Sequence, residues 1–297
     1  MDISLAKSKK SIMNKQVLSL FLSVLLFPLF GSASTLPDQN AVPGGIIKMT
    51  VAEINQAIPT VFFQDNRVVV TADNTHWVAL IGIPLSTKAG THKITVNTAT
   101  NSQDISFGVV SKDYPAQYLT IKKKRMVTGF TKADLKKIDA DKKAITTAKA
   151  IWSEQTIDAD FIPPVEGRLS SLFGLKRFFN DIPKRPHNGL DIAAVTGTPI
   201  IAPASGKVID TGNYYFNGNT VFLDHGQGLL SAYLHMNKIT VKPGQLVNQG
   251  DALGTVGETG RVTGPHLHWI VYLNKAPVDP ALFIAKDIPR LDARNNK

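Results

Sequence analysis

Short β-branched runs, each closed by a turn signal, fill much of this chain and point to a β-rich fold. From about residue 40 to 112 the runs are Ile46-Ile47-Lys48-Met49-Thr50-Val51, Val68-Val69-Val70-Thr71, Trp77-Val78-Ala79-Leu80-Ile81-Gly82 and Lys93-Ile94-Thr95-Val96. Gly44-Gly45, Asp65-Asn66, Asp73-Asn74 and Ala89-Gly90 separate them. β-branched side chains suit a pleated surface, and Gly, Asn and Asp supply turn conformations. Such regular spacing predicts a small β-sandwich over 40–112. From Val165 onward short strands again recur between glycines, and no repeat with a period of roughly 20–50 residues stands out.

At 297 residues the chain has room for about two domains. With 43% hydrophobic and 19% charged residues it is globular, and 22 Gly and 17 Pro agree with many turns. The complete lack of Cys excludes disulfides, Cys-ligated zinc, thiol catalysis and lipid attachment through Cys. Any metal must then be held by His, Asp or Glu. A formal charge of +10 calls for an anionic partner: nucleic acid, a membrane surface or an acidic polymer.

The first segment chooses among these. Lys7, Lys9, Lys10 and Lys15 precede an apolar run from Val17 to Phe30, which gives way to Gly31-Ser32-Ala33-Ser34. A basic head, a short apolar stretch and a small-residue exit describe a signal peptide over 1–34. The run falls short of the ~20 apolar residues a membrane span needs, so no stable span is expected after cleavage. Removing this leader takes away four Lys and Asp2 and leaves the chain basic. A periplasmic or secreted protein does not meet nucleic acid, whereas it does meet an anionic cell wall. No sequence feature sets the oligomeric state.

Residues 113–160 read as a linker. It opens with the basic tract Lys122-Lys123-Lys124-Arg125, a solvated face or a grip on an anionic polymer. A helix comes next: Thr131 and Asp134 resemble a capping box, and Leu135, Ile138, Ile145, Ala148 and Trp152 fall on one face, as in a strut between domains. The Pro pair within Asp158 to Pro164 marks the boundary. Further on, Val241 to Val247 and Asp251 to Gly257 resemble biotinyl or lipoyl carrier domains, but no Met-flanked Lys stands at a hairpin tip there.

Five of the 7 His lie in the C-terminal part: His187, His225, His235, His266 and His268. His76 and His92 lack acidic partners at ligand spacing and read as ordinary surface or strand-end residues. In His187-Asn188-Gly189-Leu190-Asp191 an imidazole and a carboxylate are four positions apart. On a flat strand that is ~13 Å, so they meet only if the backbone folds between them, as Gly189 permits. His266-Leu267-His268 sets two imidazoles on one strand face, ~6–7 Å apart at Cα. One could ligate a metal while its neighbour reaches the substrate, and which does which stays open on spacing alone. Two His beside an Asp fit catalytic zinc better than structural zinc. His235, in Tyr233-Leu234-His235-Met236, is the remaining polar group near such a centre. His225 reads as a strand-end residue outside the site, whose loss should matter little.

Taken in order, several segments resemble the LytM or lysostaphin-type zinc metallopeptidases that cut peptidoglycan cross-links. They are Ser170-Ser171-Leu172-Phe173-Gly174, His187-Asn188-Gly189-Leu190-Asp191-Ile192, Ala202 to Val208, Gly218-Asn219-Thr220-Val221, Tyr233-Leu234-His235 and Thr259 to His268. The resemblance implies His187, Asp191 and His268 as zinc ligands, with His235 and His266 as the catalytic pair. Asn188 departs from the Ser that many members carry. A mainly β fold is implied: a small Ig-like β-sandwich over 40–112, a linking helix, a LytM-type β-sheet peptidase domain over 165–283 and a tail over 284–297. Exported proteobacterial members have a similar N-terminal module, expected to fold independently and to regulate or target the enzyme. The implied activity is zinc-dependent hydrolysis of peptidoglycan cross-links, favouring the D-Ala to meso-diaminopimelate bond. One of His235 and His266 would take the proton from water and the other steady the oxyanion. The alternative is a non-catalytic LytM-like regulator that activates other wall hydrolases, but such relatives have lost ligands and here the set is complete.

Overall fold

The computed structural model describes residues 36–284, together with Met1 and Asp287. Apart from Met1, the leader expected over 1–34 lies outside the described residues, as does all of the tail but Ile284 and Asp287. Among those described, no helix is long and apolar enough to cross a membrane.

Six strands come first: β1 (Ile46–Glu53), β2 (Thr60–Phe63), β3 (Asn66–Asp73), β4 (His76–Gly82), β5 (Gly90–Asn97) and β6 (Ser102–Val109). They pair antiparallel in the order β1-β4-β3-β2-β5-β6. β3 serves both halves, with Asn66 to Val68 against β2 and Val69 to Asp73 against β4. Ile47, Val70 and Ile81 from one half meet Val61, Ile94 and Phe107 from the other in one core. The two layers are therefore halves of a single sheet that turns over along β3.

The β1-β4-β3 half is buried on both faces. Val68 and Val70 point into the module, whereas Ile46, Val69, Val78 and Leu80 join the large core of the C-terminal part. Asn274 reinforces this junction: its amide accepts from the Gly82 N–H at 2.7 Å and donates to the Gly82 carbonyl at 3.0 Å. Gly44, at φ +85°, lies so close to Phe173 that a Cβ would come within 2.3 Å of that ring. The module does not stand apart as an independent unit; it shares a core with the C-terminal strands.

The linker is equally committed. β7 (Ala116–Leu119) runs parallel to β9 (Lys176–Phe179), beyond β8 (Arg168–Ser171), and β9 pairs in turn with β10 (Ile182–Pro183). The helix α1 spans Lys132–Lys149, and Thr131 and Asp134 form its capping box. Arg125 grips the same Asp134 carboxylate through two bonds of 2.7 Å, so this member of the basic tract is engaged. Leu135 is 53% exposed, and the helix packs through Ala144, Ile145 and Ala148 on Tyr214, Phe222, Ile270 and Tyr272. It covers a sheet face and is not a strut.

The main sheet uses β11 (Leu190–Ala193), β13 (Gly206–Tyr214), β14 (Gly218–Asp224), β15 (Leu230–Met236), β17 (Leu246–Val247) and β19 (His266–Leu273). Its order is β17-β13-β14-β15-β19-β11-β8, and β20 (Ala276–Val278) pairs with β19. A smaller sheet of β12 (Pro199–Ile201), β18 (Ala252–Thr255) and β16 (Lys238–Ile239) adds Ile200 and Leu253 to the large core. Alternation along β19 sends Leu267, Trp269, Val271 and Leu273 into that core and leaves His266 and His268 on the face that α1 partly covers.

Candidate metal centre

β15, β19 and β11 lie side by side, and their register assembles the centre. Asp191 stands directly opposite His268 across β11 and β19, so both project to one face. His187 precedes β11 and is tied to the loop after β8: the Gly174 N–H donates to its carbonyl and its own N–H to that of Leu175. The backbone thus does turn between His187 and Asp191. Gly189 contributes closeness, since a Cβ there would fall 2.3 Å from the Trp269 carbonyl oxygen.

His187 Nε2, Asp191 Oδ1 and His268 Nδ1 converge, separated by 2.9, 2.9 and 2.6 Å. All three residues are buried. The outer hydrogen bonds place the protons. His187 Nδ1–H donates to the Leu172 carbonyl at 2.6 Å, which leaves Nε2 with its lone pair inward. His268 Nε2–H donates to Asn188 Oδ1 at 3.3 Å, which frees Nδ1 likewise. Burial pushes His268 down to about 4, against the pull of Asp191, so the ring is neutral near pH 7. Three inward acceptors without a donor are suited to a cation. Two imidazoles and a carboxylate match zinc better than the all-oxygen preference of magnesium or calcium.

His235 and His266 flank this trio. Strand alternation from Tyr233 would bury His235 in the large core, yet its φ of +64° breaks the alternation. Met236 takes the core position instead, and the His235 ring lies 6.0 Å from His268 and 4.9 Å from His266, centroid to centroid. A left-handed non-glycine residue is strained and persists only where its surroundings hold it. Here the His235 N–H donates to the Asn217 carbonyl and its Nδ1–H to the Thr259 carbonyl, each at 2.9 Å. His266 Nδ1–H donates to the Gly264 carbonyl at 2.8 Å, with Nε2 3.8 Å from Asp191 Oδ1. Burial, then His266 and His268, hold His235 well below the ordinary histidine range.

Sequence reasoning passed over Arg177. Its Nη2 donates to Asp191 Oδ2 at 2.6 Å and to Ser171 Oγ at 3.1 Å. Occupying one carboxylate oxygen leaves Oδ1 alone to face the imidazoles. The available signal was an arginine ahead of two phenylalanines on a short strand, hidden beside Lys176 in a basic stretch.

His225 lies elsewhere, directly after the end of β14 as expected, and is deeply buried. At 1% exposure it donates from Nδ1 to the Ser205 carbonyl at 2.8 Å and accepts at Nε2 from Ser231 Oγ at 2.7 Å. The Tyr233 hydroxyl completes the chain, donating to Ser231 Oγ at 2.7 Å. His225→Ala is therefore expected to destabilise the protein by about 1–3 kcal/mol by leaving buried polar groups unpaired, without touching metal content. Burial lowers the His225 pKa below 6.5, so the unfolded chain takes up this proton first as pH falls. Its stabilisation is full above about pH 6.5 and lost progressively below it. Melting curves at pH 7.5 and 5.5 should show a smaller loss in His225→Gln than in the parent; equal losses would count against the assignment.

Residues 185–280 match Peptidase family M23, and residues 39–112 match the Peptidase family M23 N-terminal domain. A crystal structure assigned to peptidase M23 from Pseudomonas aeruginosa is 42% identical, covering 83% of this chain and 96% of its own, with a TM-score of 0.71. Peptidoglycan DD-endopeptidase ShyA of Vibrio cholerae is 44% identical over 114 residues, 38% of this chain and 26% of ShyA. DD-carboxypeptidase/endopeptidase Mpg of Neisseria gonorrhoeae is 38% identical over 129 residues, 43% of this chain and 30% of Mpg. The matches thus span about a quarter to a third of these curated relatives' lengths. With near-complete overlap on the Pseudomonas protein, and both domain matches in order, this chain belongs to peptidase family M23.

Proposed function

We propose that this chain is a zinc-dependent endopeptidase that hydrolyses the peptide cross-links of bacterial peptidoglycan, acting in the periplasm or outside the cell after removal of residues 1–34. The observation that carries this reading is the convergence of three inward lone pairs on His187, Asp191 and His268, flanked by two further imidazoles. His187, Asp191 and His268 would hold the zinc, and bound there it would supply Lewis-acid activation for amide hydrolysis. Arg177 fixes the Asp191 carboxylate so that one oxygen faces the imidazoles. His235 and His266 each keep Nδ1–H on a backbone carbonyl, so Nε2 is the atom that accepts a proton or, once protonated, donates one. The strained His235 backbone keeps that nitrogen on the reacting side of the sheet.

The names of ShyA and Mpg support a DD-endopeptidase, and the D-Ala to meso-diaminopimelate bond is the cross-link this reading favours. The basic charge suits an acidic, insoluble polymer. Incubating the purified protein with defined cross-linked muropeptides, with and without a chelator, tests the reading by product mass. Cleavage that stops with the chelator and returns with zinc is expected. Cleavage indifferent to the chelator would remove zinc from the reading, and a zinc-loaded chain that cuts nothing but stimulates another wall hydrolase would return the regulator.

A further inference from the structure

Arg261 is a half-buried cation that has no counter-ion among the described residues. Its guanidinium carbon lies 4.7 Å from the Phe179 ring centroid and 4.4 Å from that of Phe216. Its backbone N–H donates to the Phe216 carbonyl at 2.9 Å, and Nη1 reaches the Met126 carbonyl at a long 3.4 Å. Among the described residues no carboxylate forms an ion pair with it, and its Nε and Nη2 have no protein acceptor. Neither nitrogen is sealed from solvent. Burial, with the nearby Arg177 second, pushes its pKa down to about 10, the mark of a charge its surroundings leave uncompensated.

Two relations, one through space and one along the chain, tie Arg261 to the residues around the metal centre. Arg177 and Phe179 are two apart on β9 and project to the same side, ~6–7 Å from each other. Arg261, over Phe179, is thus about one such step from the arginine that holds Asp191. In sequence, Arg261 stands between Thr259 and Gly264, whose carbonyls orient His235 and His266. Two aromatic rings fix the guanidinium and strip water from it, while its unused N–H groups stay available in the plane. A desolvated cation that lacks a protein partner is what a carboxylate ligand needs, and a guanidinium can take a carboxylate through two parallel bonds.

We propose that Arg261 binds a free carboxylate of the peptide substrate and so selects acidic cross-linked peptides over their amidated forms. This deepens the endopeptidase reading and rests on it. A merely structural Arg261 would instead staple the Met126 and Phe216 segments together.

The test compares the full protein with Arg261→Gln and Arg261→Lys on a cross-linked muropeptide and on its carboxamide counterpart. The parent should show a KM on the order of 30-fold lower for the acid form. Arg261→Gln should raise that KM to the level of the amide, with zinc content and melting temperature kept, and Arg261→Lys should recover part of the preference. Equal loss on both peptides, reduced zinc content, or a parent indifferent to amidation would each overturn the proposal. If Arg261→Gln does not fold, Arg261→Lys decides on the same readouts. If the parent cuts neither peptide, both are titrated calorimetrically onto the zinc-free protein. A preference for the acid form that Arg261→Gln abolishes would then keep the carboxylate site and sink the endopeptidase, whereas no preference would sink both.

Discussion

Zinc content is expected to fall steeply in His187→Ala, Asp191→Ala and His268→Ala, and to stay at about one per chain in His235→Ala and His266→Ala. Each of the first three removes one of three converging donors, and two remaining ligands seldom hold a catalytic zinc, whereas losing an outer partner costs only ~10–100-fold. The other two retain the trio and, on the proposed reading, lose a positioned acid or base, so turnover should drop by ~10²–10⁴. Metal analysis beside cross-link cleavage for all five variants separates the groups. Zinc lost from His266→Ala but kept in His268→Ala would reverse the assignment of the pair. Undiminished cleavage by His235→Ala would remove that residue from the chemistry.

A fragment beginning near residue 155 is expected to lose cooperative folding. It would leave β9 without its parallel partner β7, uncover the sheet face under Ala144, Ile145 and Ala148, and strip Ile46, Val69, Val78 and Leu80 from the large core. Burying four such side chains contributes roughly 6–12 kcal/mol in all, at ~1.5–3 kcal/mol each. That is comparable with the ~5–15 kcal/mol by which whole domains are stable. Asn274 would also lose both bonds to Gly82. Thermal melting followed by circular dichroism reads the outcome. A fragment that melts sharply near the parent temperature and still takes up zinc would show that the C-terminal part stands alone.

Local rules reached the strands and the Thr131 capping box because both are written within a few residues. The two-sided burial of β3 is present in the chain as the uninterrupted run Val68-Val69-Val70-Thr71, which is how a strand covered on both faces reads. Nothing local says what covers the second face, so the run reads equally well as simple β propensity. Leu135 misleads for the same reason: the helix meets its sheet through small residues, and periodicity ranks a leucine above them. At the centre, His266 and His268 share a face, and only the pairing of β19 with β11 sets His268 opposite Asp191. That register depends on contacts across more than seventy residues of chain. Arg177 and the buried His225 network were hidden for a milder form of the same reason, since their partners lie 6 to 20 residues away on other strands and turns.

The bond pair between Asn274 and Gly82 has a mechanical consequence. With β7 woven into the sheet of β9 and the module sharing the large core, the first six strands and the strands that carry the histidines pack as one body. Anything gripped by the outer strands of the module is held at a set distance and orientation from the metal centre. On a lattice with a regular spacing, such a body would act as a ruler, placing the metal centre at a fixed offset from wherever it is moored.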